Sequence, residues 1–334
     1  MAKVIVGIHG FGNKPRKPVI ADWWQQAMAE GLAAIGRKPH LPRFEMVFWA
    51  DIIHGQPLHP GVHDPGHPLF IDEPYLPAPL LLRPTTSPLR AKLRAPLVRA
   101  LRRLWLTADL SLRYPRITER ILSRCFVDLD AYYREPRSDP GAIDAGVKTR
   151  ILERATAVLD AFKMDEILLV CHSMGAIIGF DVLSFHMPHL QVHTFATIGS
   201  PLGMPIAVRK IAGQIRERGA GEAVLQNPPG VRVCWAKLSD TQDLITMNYS
   251  LSETFAANDL AVSPVDRVVF NNYCVGNRRN PHKSFGYLRT PEFARFLSAF
   301  IESRRTLGQR FLAVFRSTSE SGAGWFGRGP SQAR

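Results

Sequence analysis

The sequence predicts an α/β fold, a mostly parallel sheet flanked by helices, with an insertion. Apolar segments of strand length alternate with longer segments of helical periodicity. With 334 residues, of which 46% are hydrophobic, the chain can bury a sizeable core, and no repeat of solenoid length divides it. The strands are predicted at residues 4–9, 45–50, 166–171, 194–199 and 231–236.

The predicted elements alternate along the chain. The first strand is followed by a helix at residues 18–35, in which apolar side chains recur four residues apart. A second strand ends near Asp51. After an interruption, a helix at residues 147–162 leads into the third strand. The remaining elements are a helix at 176–183, an apolar stretch at 267–271 and a final helix at 291–301.

A change of composition predicts the domain organisation. Residues 1–54 and 141–305 carry the α/β alternation and are expected to form one core. Residues 55–140, rich first in Pro, Gly and His and then in Arg, predict a lid or cap insertion over the sheet. Residues 306–334 are of low complexity and predict a flexible basic C-terminal tail.

Targeting signals and cysteines bear on where the protein acts. The N-terminal stretch MAKVIVGIHGFG lacks the features of a signal peptide, and no apolar run reaches the ~18 residues of a membrane-spanning helix. The cytoplasm is therefore the predicted location, with the cytoplasmic face of a membrane as the alternative. The cysteines have neither zinc-site nor disulfide spacing and are predicted to be buried, reduced thiols: Cys125, Cys171, Cys234 and Cys274.

A basic segment accounts for much of the net charge of +13. Residues 83–124 hold eleven basic and two acidic side chains. A helix here would separate two faces, Leu97, Leu101, Leu104, Trp105 and Ala108 on one and Arg99, Arg102 and Arg103 on the other. Two interpretations stay open, a solvated lid helix and a helix that lies on an anionic membrane surface. Nucleic acid is not expected as a partner, because no groove-reading motif accompanies the charge.

The stretch Cys171-His172-Ser173-Met174-Gly175 joins a predicted buried strand to an apolar helix. It resembles the nucleophile elbow, usually GxSxG, of the α/β-hydrolase superfamily and its lipase- and esterase-like serine hydrolases. Cys171 replaces the first glycine of the pattern, and Gly175 keeps the second. The resemblance implies an α/β-hydrolase-like fold with Ser173 as the catalytic nucleophile. The alternative interpretation is a buried turn that contains a structural serine.

The catalytic partners that the resemblance implies follow in the order acid, then histidine. The stretch KLSDTQDLIT contains Asp240 and Asp243, and VGNRRNPHKSFGYL contains His282. A serine hydroxyl needs an imidazole to accept its proton, and the imidazole needs a carboxylate to fix its tautomer. The resemblance implies His282 as the base and Asp243 as the acid, because the DLI sequence is similar to that of lipase-like members. Asp240 is the alternative acid.

The glycine-rich loop HGFGNKP follows the first predicted strand. Its His9-Gly10 pair resembles the HG motif of lipases and esterases, which implies that this loop supplies one N–H group to an oxyanion hole. The backbone N–H groups of Phe11 and Met174 are the predicted donors. The loop does not have the GxxxxGK[ST] spacing of a phosphate-binding loop.

Four histidines cluster in the stretch DIIHGQPLHPGVHDPGHP, at His54, His59, His63 and His67. The intervening Pro and Gly residues prevent one helical face from presenting them together. We interpret the stretch as an entrance loop of the insertion, with no metal, and the implied chemistry needs no cofactor.

Two classes of function fit this pattern. The first is a serine hydrolase that cleaves a carboxylic ester, of a small molecule or of a lipid, through a Ser-His-Asp triad and an acyl-enzyme. An acyltransferase would use the same triad with an alcohol as acceptor. The second class is a non-catalytic binding module with an α/β-hydrolase-like fold. The ordered presence of nucleophile, acid, base and both oxyanion segments favours the enzyme.

Overall fold

Six parallel strands form the central sheet, in the order β2-β1-β3-β4-β5-β6. These strands are β1 (Lys3–Ile8), β2 (Arg43–Val47), β3 (Glu166–His172), β4 (Val192–Ile198), β5 (Val231–Asp240) and β6 (Pro264–Val269). A small antiparallel ribbon follows, made of β7 (Cys274–Val275) and β8 (Arg278–Arg279). The computed structural model describes residues 2–78, 127–129, 131–133, 146–219, 224–246 and 250–303.

Helices cover both faces of the sheet. They are α1 (Lys17–Ala34), α2 (Ala50–Ile53), α3 (Val147–Asp160), α4 (Met174–Asp181), α5 (Pro205–Glu217), α6 (Ser284–Leu288) and α7 (Pro291–Glu302). A π-helical turn, Val182–His186, continues α4, and residues 127–129 and 131–133 are also helical. Helices α1, α6 and α7 pack on one face, and α3, α4 and α5 pack on the other. The result is a three-layer arrangement with one apolar core on each side of the sheet.

The burial of the central strands explains their sequence. All residues of β1 after Lys3, and all residues of β3 after Glu166, are buried. A parallel strand that is covered on both faces by helices needs a nearly continuous apolar run, which is what these segments provide. Helix α1 buries the predicted stripe against the sheet, with Pro18 in its first turn: Ile20, Trp24, Met28 and Leu32.

The second strand ends earlier than predicted. The apolar residues up to position 50 suggested a strand, but β2 stops at Val47, and Ala50–Ile53 forms the short helix α2. The backbone N–H of Trp49 donates to the imidazole Nε2 of His9 at 3.0 Å, and the Trp49 indole N–H donates to the His9 carbonyl oxygen, also at 3.0 Å. Trp49 therefore bonds to a loop residue instead of extending the strand ladder.

The predicted fold class is confirmed as an α/β-hydrolase-like, mostly parallel sheet flanked by helices. Within the described part of the chain, no helix combines the length and the apolar character needed to cross a bilayer. The predictions for the basic helix and the C-terminal tail lie outside the described residues.

The cysteines only partly match the prediction of buried thiols. Cys171 and Cys234 are buried and free, and burial raises the pKa of both thiols, that of Cys234 to about 12. Cys274 is free but only partly buried, because it lies in the short ribbon outside the main sheet. Cys125 lies outside the described residues.

Candidate active site

The carboxyl ends of four central strands meet at one edge of the sheet. The strand register pairs Ile8 with Cys171 and His172 with Ile198. Because parallel strands end at the same edge, the loops that follow them converge there. These loops carry the glycine-rich segment after β1, Ser173 after β3, Gly199 after β4 and Asp243 after β5.

Ser173 occupies a sharp turn between β3 and α4. Its backbone angles are φ 52° and ψ −121°, a conformation that residues other than glycine rarely adopt. The Ser173 N–H donates to the carbonyl oxygen of Ile198 at 3.0 Å, which ties the turn to β4. A Cβ atom at Gly175 would lie 2.4 Å from the carbonyl oxygen of Ile8. The glycine two positions after the serine is thus required by the close approach of α4 to β1.

The departure from the usual glycine pattern at Cys171 is accommodated inside α4. The Cys171 side chain is fully buried, and a Cβ atom added at Gly179 would lie 2.7 Å from its Sγ atom. The Cys171 thiol therefore packs against Gly179, which lies one helical turn after Gly175 in α4. Because Gly179 has no side chain, there is room for a thiol where the usual pattern has a glycine. The exchange explains how the turn keeps its geometry without the first glycine.

Ser173, His282 and Asp243 form a continuous chain of hydrogen bonds. The Ser173 Oγ atom lies 2.9 Å from His282 Nε2, and His282 Nδ1 lies 2.8 Å from Asp243 Oδ2 and 3.0 Å from its Oδ1. All three side chains are buried. An ionised carboxylate can only accept, so Nδ1 carries the proton of the neutral imidazole and Nε2 offers its lone pair to the serine hydroxyl.

Two further donors hold the Asp243 carboxylate. The hydroxyl of Tyr287 donates to Asp243 Oδ2 at 2.7 Å, and the backbone N–H of Ile245 donates to Oδ1 at 3.0 Å. Burial, and then the negative charge of Asp243, raise the pKa of Tyr287 well above its ordinary value. Tyr287 therefore stays a protonated donor, and the carboxylate is fixed in the plane that faces His282.

Asp240, the alternative acid, has a different set of partners. It forms an ion pair with Arg279 and accepts hydrogen bonds from the backbone N–H groups of Asn271 at 2.7 Å and Gln242 at 2.8 Å. Burial raises its pKa, opposed by these backbone bonds and by Arg279. The structure thus brings Asp243, and not Asp240, into contact with His282.

The loop after β1 lies beside Ser173. A Cβ atom at Gly10 would lie 2.9 Å from the Ser173 Cβ atom. His9 accepts the Trp49 N–H at Nε2, so its proton lies on Nδ1, 2.8 Å from the Gly10 carbonyl oxygen. Burial, followed by the charge of Lys14, lowers the pKa of His9 well below its ordinary value and keeps the ring neutral. Because a trans peptide points its N–H away from its carbonyl, this bond sets the direction of the Phe11 N–H.

Residues of the predicted insertion contact the loops of the site. The buried Asp128 carboxylate accepts the backbone N–H of Gly12. Glu73 accepts hydrogen bonds from Asn280 Nδ2 at 2.7 Å and from Lys283 Nζ at 3.2 Å. Asn280 and Lys283 lie on either side of His282 in the sequence. Burial would raise the pKa of Glu73, but the charge of Lys283 and the hydrogen bonds from both residues outweigh burial and lower this pKa.

The Phe11 ring, from the loop after β1, stacks on the His282 imidazole, with ring centres 5.4 Å apart.

The histidine-rich stretch forms local turns. His59 Nδ1 accepts the Gly61 N–H at 3.0 Å, and His67 Nδ1 accepts the Leu69 N–H at 3.1 Å. The Nε2 atom of His54 lies 3.4 Å from Asp128 Oδ1. Among the residues that the structure describes, no group of three or more His, Cys, Asp or Glu side chains could hold a metal ion.

Two residues of the site could not be recognised from the sequence. Tyr287 reaches Asp243 across 44 positions, and His172 donates to the backbone of His282 across 110 positions. Neither contact follows from a periodic pattern or a motif in the sequence. What the sequence does show is that both residues lie near predicted site residues: His172 precedes Ser173, and Tyr287 follows His282 by five positions.

Comparisons with known proteins assign no family to the chain. No family model matches the chain. No curated protein matches it. Among solved structures, the chain is similar to a protein of Agrobacterium vitis S4 named "Putative hydrolase", at 18% identity and a TM-score of 0.29, over 48% of this chain and 71% of that chain. A likeness of this size carries no argument about activity.

Proposed function

We propose that this protein is a serine hydrolase that cleaves a carboxylic ester through an acyl-enzyme formed on Ser173. The observation that carries the proposal is the chain of hydrogen bonds from Ser173 through His282 to Asp243. It combines a hydroxyl, an imidazole that can accept its proton, and a carboxylate that fixes the imidazole tautomer. These are the groups that acyl transfer through a serine requires.

In the first half of the proposed reaction, Ser173 Oγ attacks the ester carbonyl carbon while its proton moves to His282 Nε2. The tetrahedral intermediate then collapses, the bond to the alkoxy oxygen breaks, and Nε2–H returns the proton to the departing alcohol. Asp243 accepts the Nδ1–H throughout and stabilises the imidazolium that forms between these two transfers. The product is an ester between Ser173 and the acyl group.

Two backbone N–H groups are assigned to the oxyanion that develops on the carbonyl oxygen. Met174 is the first residue of α4, and the first N–H groups of a helix have no partner within it. The Phe11 N–H is directed by the bond between His9 and the Gly10 carbonyl. Donors that are fixed before the reaction stabilise the developing charge without a cost of reorganisation.

In the second half, a water molecule attacks the acyl-enzyme, gives its proton to His282 Nε2, and the acid is released as Ser173 recovers that proton. An alcohol in place of water would follow the same steps and transfer the acyl group. The two outcomes share every residue named here and differ only in the acceptor.

We assign substrate binding beside the triad to the insertion at residues 55–140. The contacts of Glu73 with the His282 loop and of Asp128 with Gly12 support this assignment, because both come from the predicted insertion. A lipid ester and an anionic membrane surface stay predictions, since the basic helix on which they depend lies outside the described residues.

The experiment that tests this function is labelling with a fluorophosphonate probe, followed by mapping of the adduct. The expected result is a single adduct on Ser173, its loss in Ser173→Ala, and its retention in the control variant Ser200→Ala. Ser200 is also buried beside a strand end, but its Oγ accepts the Leu202 N–H at 3.2 Å. No adduct on the wild-type protein would favour a binding module, and an adduct elsewhere would contradict the assignment of the nucleophile.

A further inference from the structure

Buried side chains bind three successive carbonyl groups of the loop that carries His282. The Asn271 amide donates to the carbonyl oxygens of Pro281 at 2.9 Å and Lys283 at 2.8 Å. The carbonyl oxygen of His282 itself lies 2.7 Å from His172 Nε2. The His282 N–H donates to Asn280 Oδ1 at 2.9 Å. The backbone of the proposed base is thus held on both sides.

The protonation of His172 follows from its partners. A carbonyl oxygen can only accept, so His172 Nε2 carries the proton. Burial, and then the neighbouring His282, lower the pKa of His172 well below its ordinary value, so the ring is neutral. Its other nitrogen, Nδ1, faces Gly10, where an added Cβ atom would lie 2.6 Å away. The Nε2–H of His172 is thus used by the His282 backbone, and the Ser173 hydroxyl bonds to His282 Nε2, so His282 is the base assigned to Ser173.

The ring of His172 lies where three loops of the site meet. Its centre is 4.9 Å from that of His282, and a Cβ atom at Gly199 would lie 3.3 Å from both His172 Nε2 and His282 Cε1. His172 is also the last residue of β3, which is paired on both sides within the sheet. A rigid strand end thus holds a hydrogen-bond donor against the backbone of a loop residue.

We propose that His172 is a positioning residue that fixes the backbone of His282 through the bond from Nε2–H to the His282 carbonyl oxygen. This inference rests on the proposed function. The distance from His282 Nε2 to Ser173 Oγ depends on where the His282 backbone lies, and a displacement of about 1 Å at a reacting group can lower a rate on the order of a hundredfold.

Two substitutions of His172 separate the donor from the ring. His172→Phe keeps a flat ring of similar size and removes the N–H donor, whereas His172→Gln loses the ring but can place an amide N–H near the position of Nε2. We expect His172→Phe to lower kcat for an activated ester by about tenfold to a hundredfold, with KM within about twofold, and to slow labelling of Ser173 in parallel. His172→Gln should retain kcat within about threefold.

A role in packing alone would produce the opposite ranking, with His172→Phe active and His172→Gln impaired, and that ranking would overturn the inference. Each variant is compared with wild type by its thermal unfolding midpoint, and kcat is expressed per site that the probe labels. If His172→Phe does not fold, His172→Met supplies a smaller, flexible side chain without a donor, and the same loss of kcat is expected.

The failure of this inference can be distinguished from the failure of the proposed function. If the wild-type protein is not labelled on Ser173, the proposed function is wrong and the role of His172 falls with it. If wild type is labelled and the two variants without a donor turn over ester as fast as wild type, only the role of His172 is wrong.

Discussion

Two buried carboxylates, Asp243 and Asp181, differ in their direct hydrogen-bond partners. Asp181 ends helix α4, about 12 Å along the helix axis from Ser173. Its Oδ2 atom lies 2.9 Å from Lys148 Nζ and 2.8 Å from the Tyr132 hydroxyl. The partners of Asp243 are an imidazole, a phenol hydroxyl and a backbone N–H. None of these three groups carries a fixed positive charge.

The difference shows how the same side chain serves structure at one place and is suited to catalysis at another. Asp181 pairs with the ammonium group of Lys148, and its contacts tie the helical residues around Tyr132 to α3 and α4. In the proposed mechanism, Asp243 gains a positively charged hydrogen-bond partner when His282 takes the proton of Ser173. An interaction that strengthens in the transition state raises the rate, whereas a constant one does not.

The largest effect is expected for Asp243→Asn. The amide lacks the negative charge, and its NH2 group can hold the imidazole in the wrong tautomer, so kcat/KM for an activated ester should fall about 10³- to 10⁴-fold. Steady-state hydrolysis at neutral pH measures the loss. The matched variant Asp240→Asn removes a buried carboxylate three positions away and should cost less than about tenfold. A larger loss for Asp240→Asn would transfer the role of the acid to Asp240.

Asp181→Asn is expected to affect stability and not catalysis. It leaves the Lys148 ammonium without its carboxylate, but the side chain of Lys148 is 26% exposed, so water compensates part of the loss. The free energy of unfolding should fall by about 2 kcal/mol, seen as a lower urea midpoint with an unchanged slope, and kcat/KM should stay within about threefold. Asp160→Asn, in an exposed pair with Lys163, is the control and should cost less than about 1 kcal/mol. A large loss of kcat/KM in Asp181→Asn would contradict the division between the two carboxylates.

The sequence predicted the sheet and the order of the candidate residues because both depend on local patterns. Buried apolar runs mark the strands that end at the site, and Ser173 lies on the turn that directly follows one of them. The choice between Asp240 and Asp243 stayed a preference, since both follow the strand predicted at residues 231–236. Asp240 is the last residue of β5, and only the turn after it determines which carboxylate meets the imidazole.

Other features of the site depend on contacts that no local pattern records. The accommodation of Cys171 by Gly179 requires knowing how α4 packs on β3. The end of β2 depends on the hydrogen bonds that Trp49 makes with His9, 40 positions away. The role of Tyr287 depends on α6 lying against the loop after β5. These contacts are set by packing between elements that are distant in the sequence, so they become visible only in the folded chain.

Tyr287→Phe tests how the Asp243 carboxylate is held, and its expected loss of kcat/KM is much smaller than that of Asp243→Asn. The Asp240 N–H donates to the Tyr287 hydroxyl at 3.0 Å, so this hydroxyl links the backbone at the end of β5 to Asp243. Its removal lets the carboxylate rotate, and kcat/KM should fall about tenfold. Tyr132→Phe removes the corresponding hydroxyl from Asp181 and should lower the free energy of unfolding by about 1 kcal/mol without changing kcat/KM. A wild-type rate in Tyr287→Phe would show that the contacts with His282 and the Ile245 N–H are enough to orient Asp243.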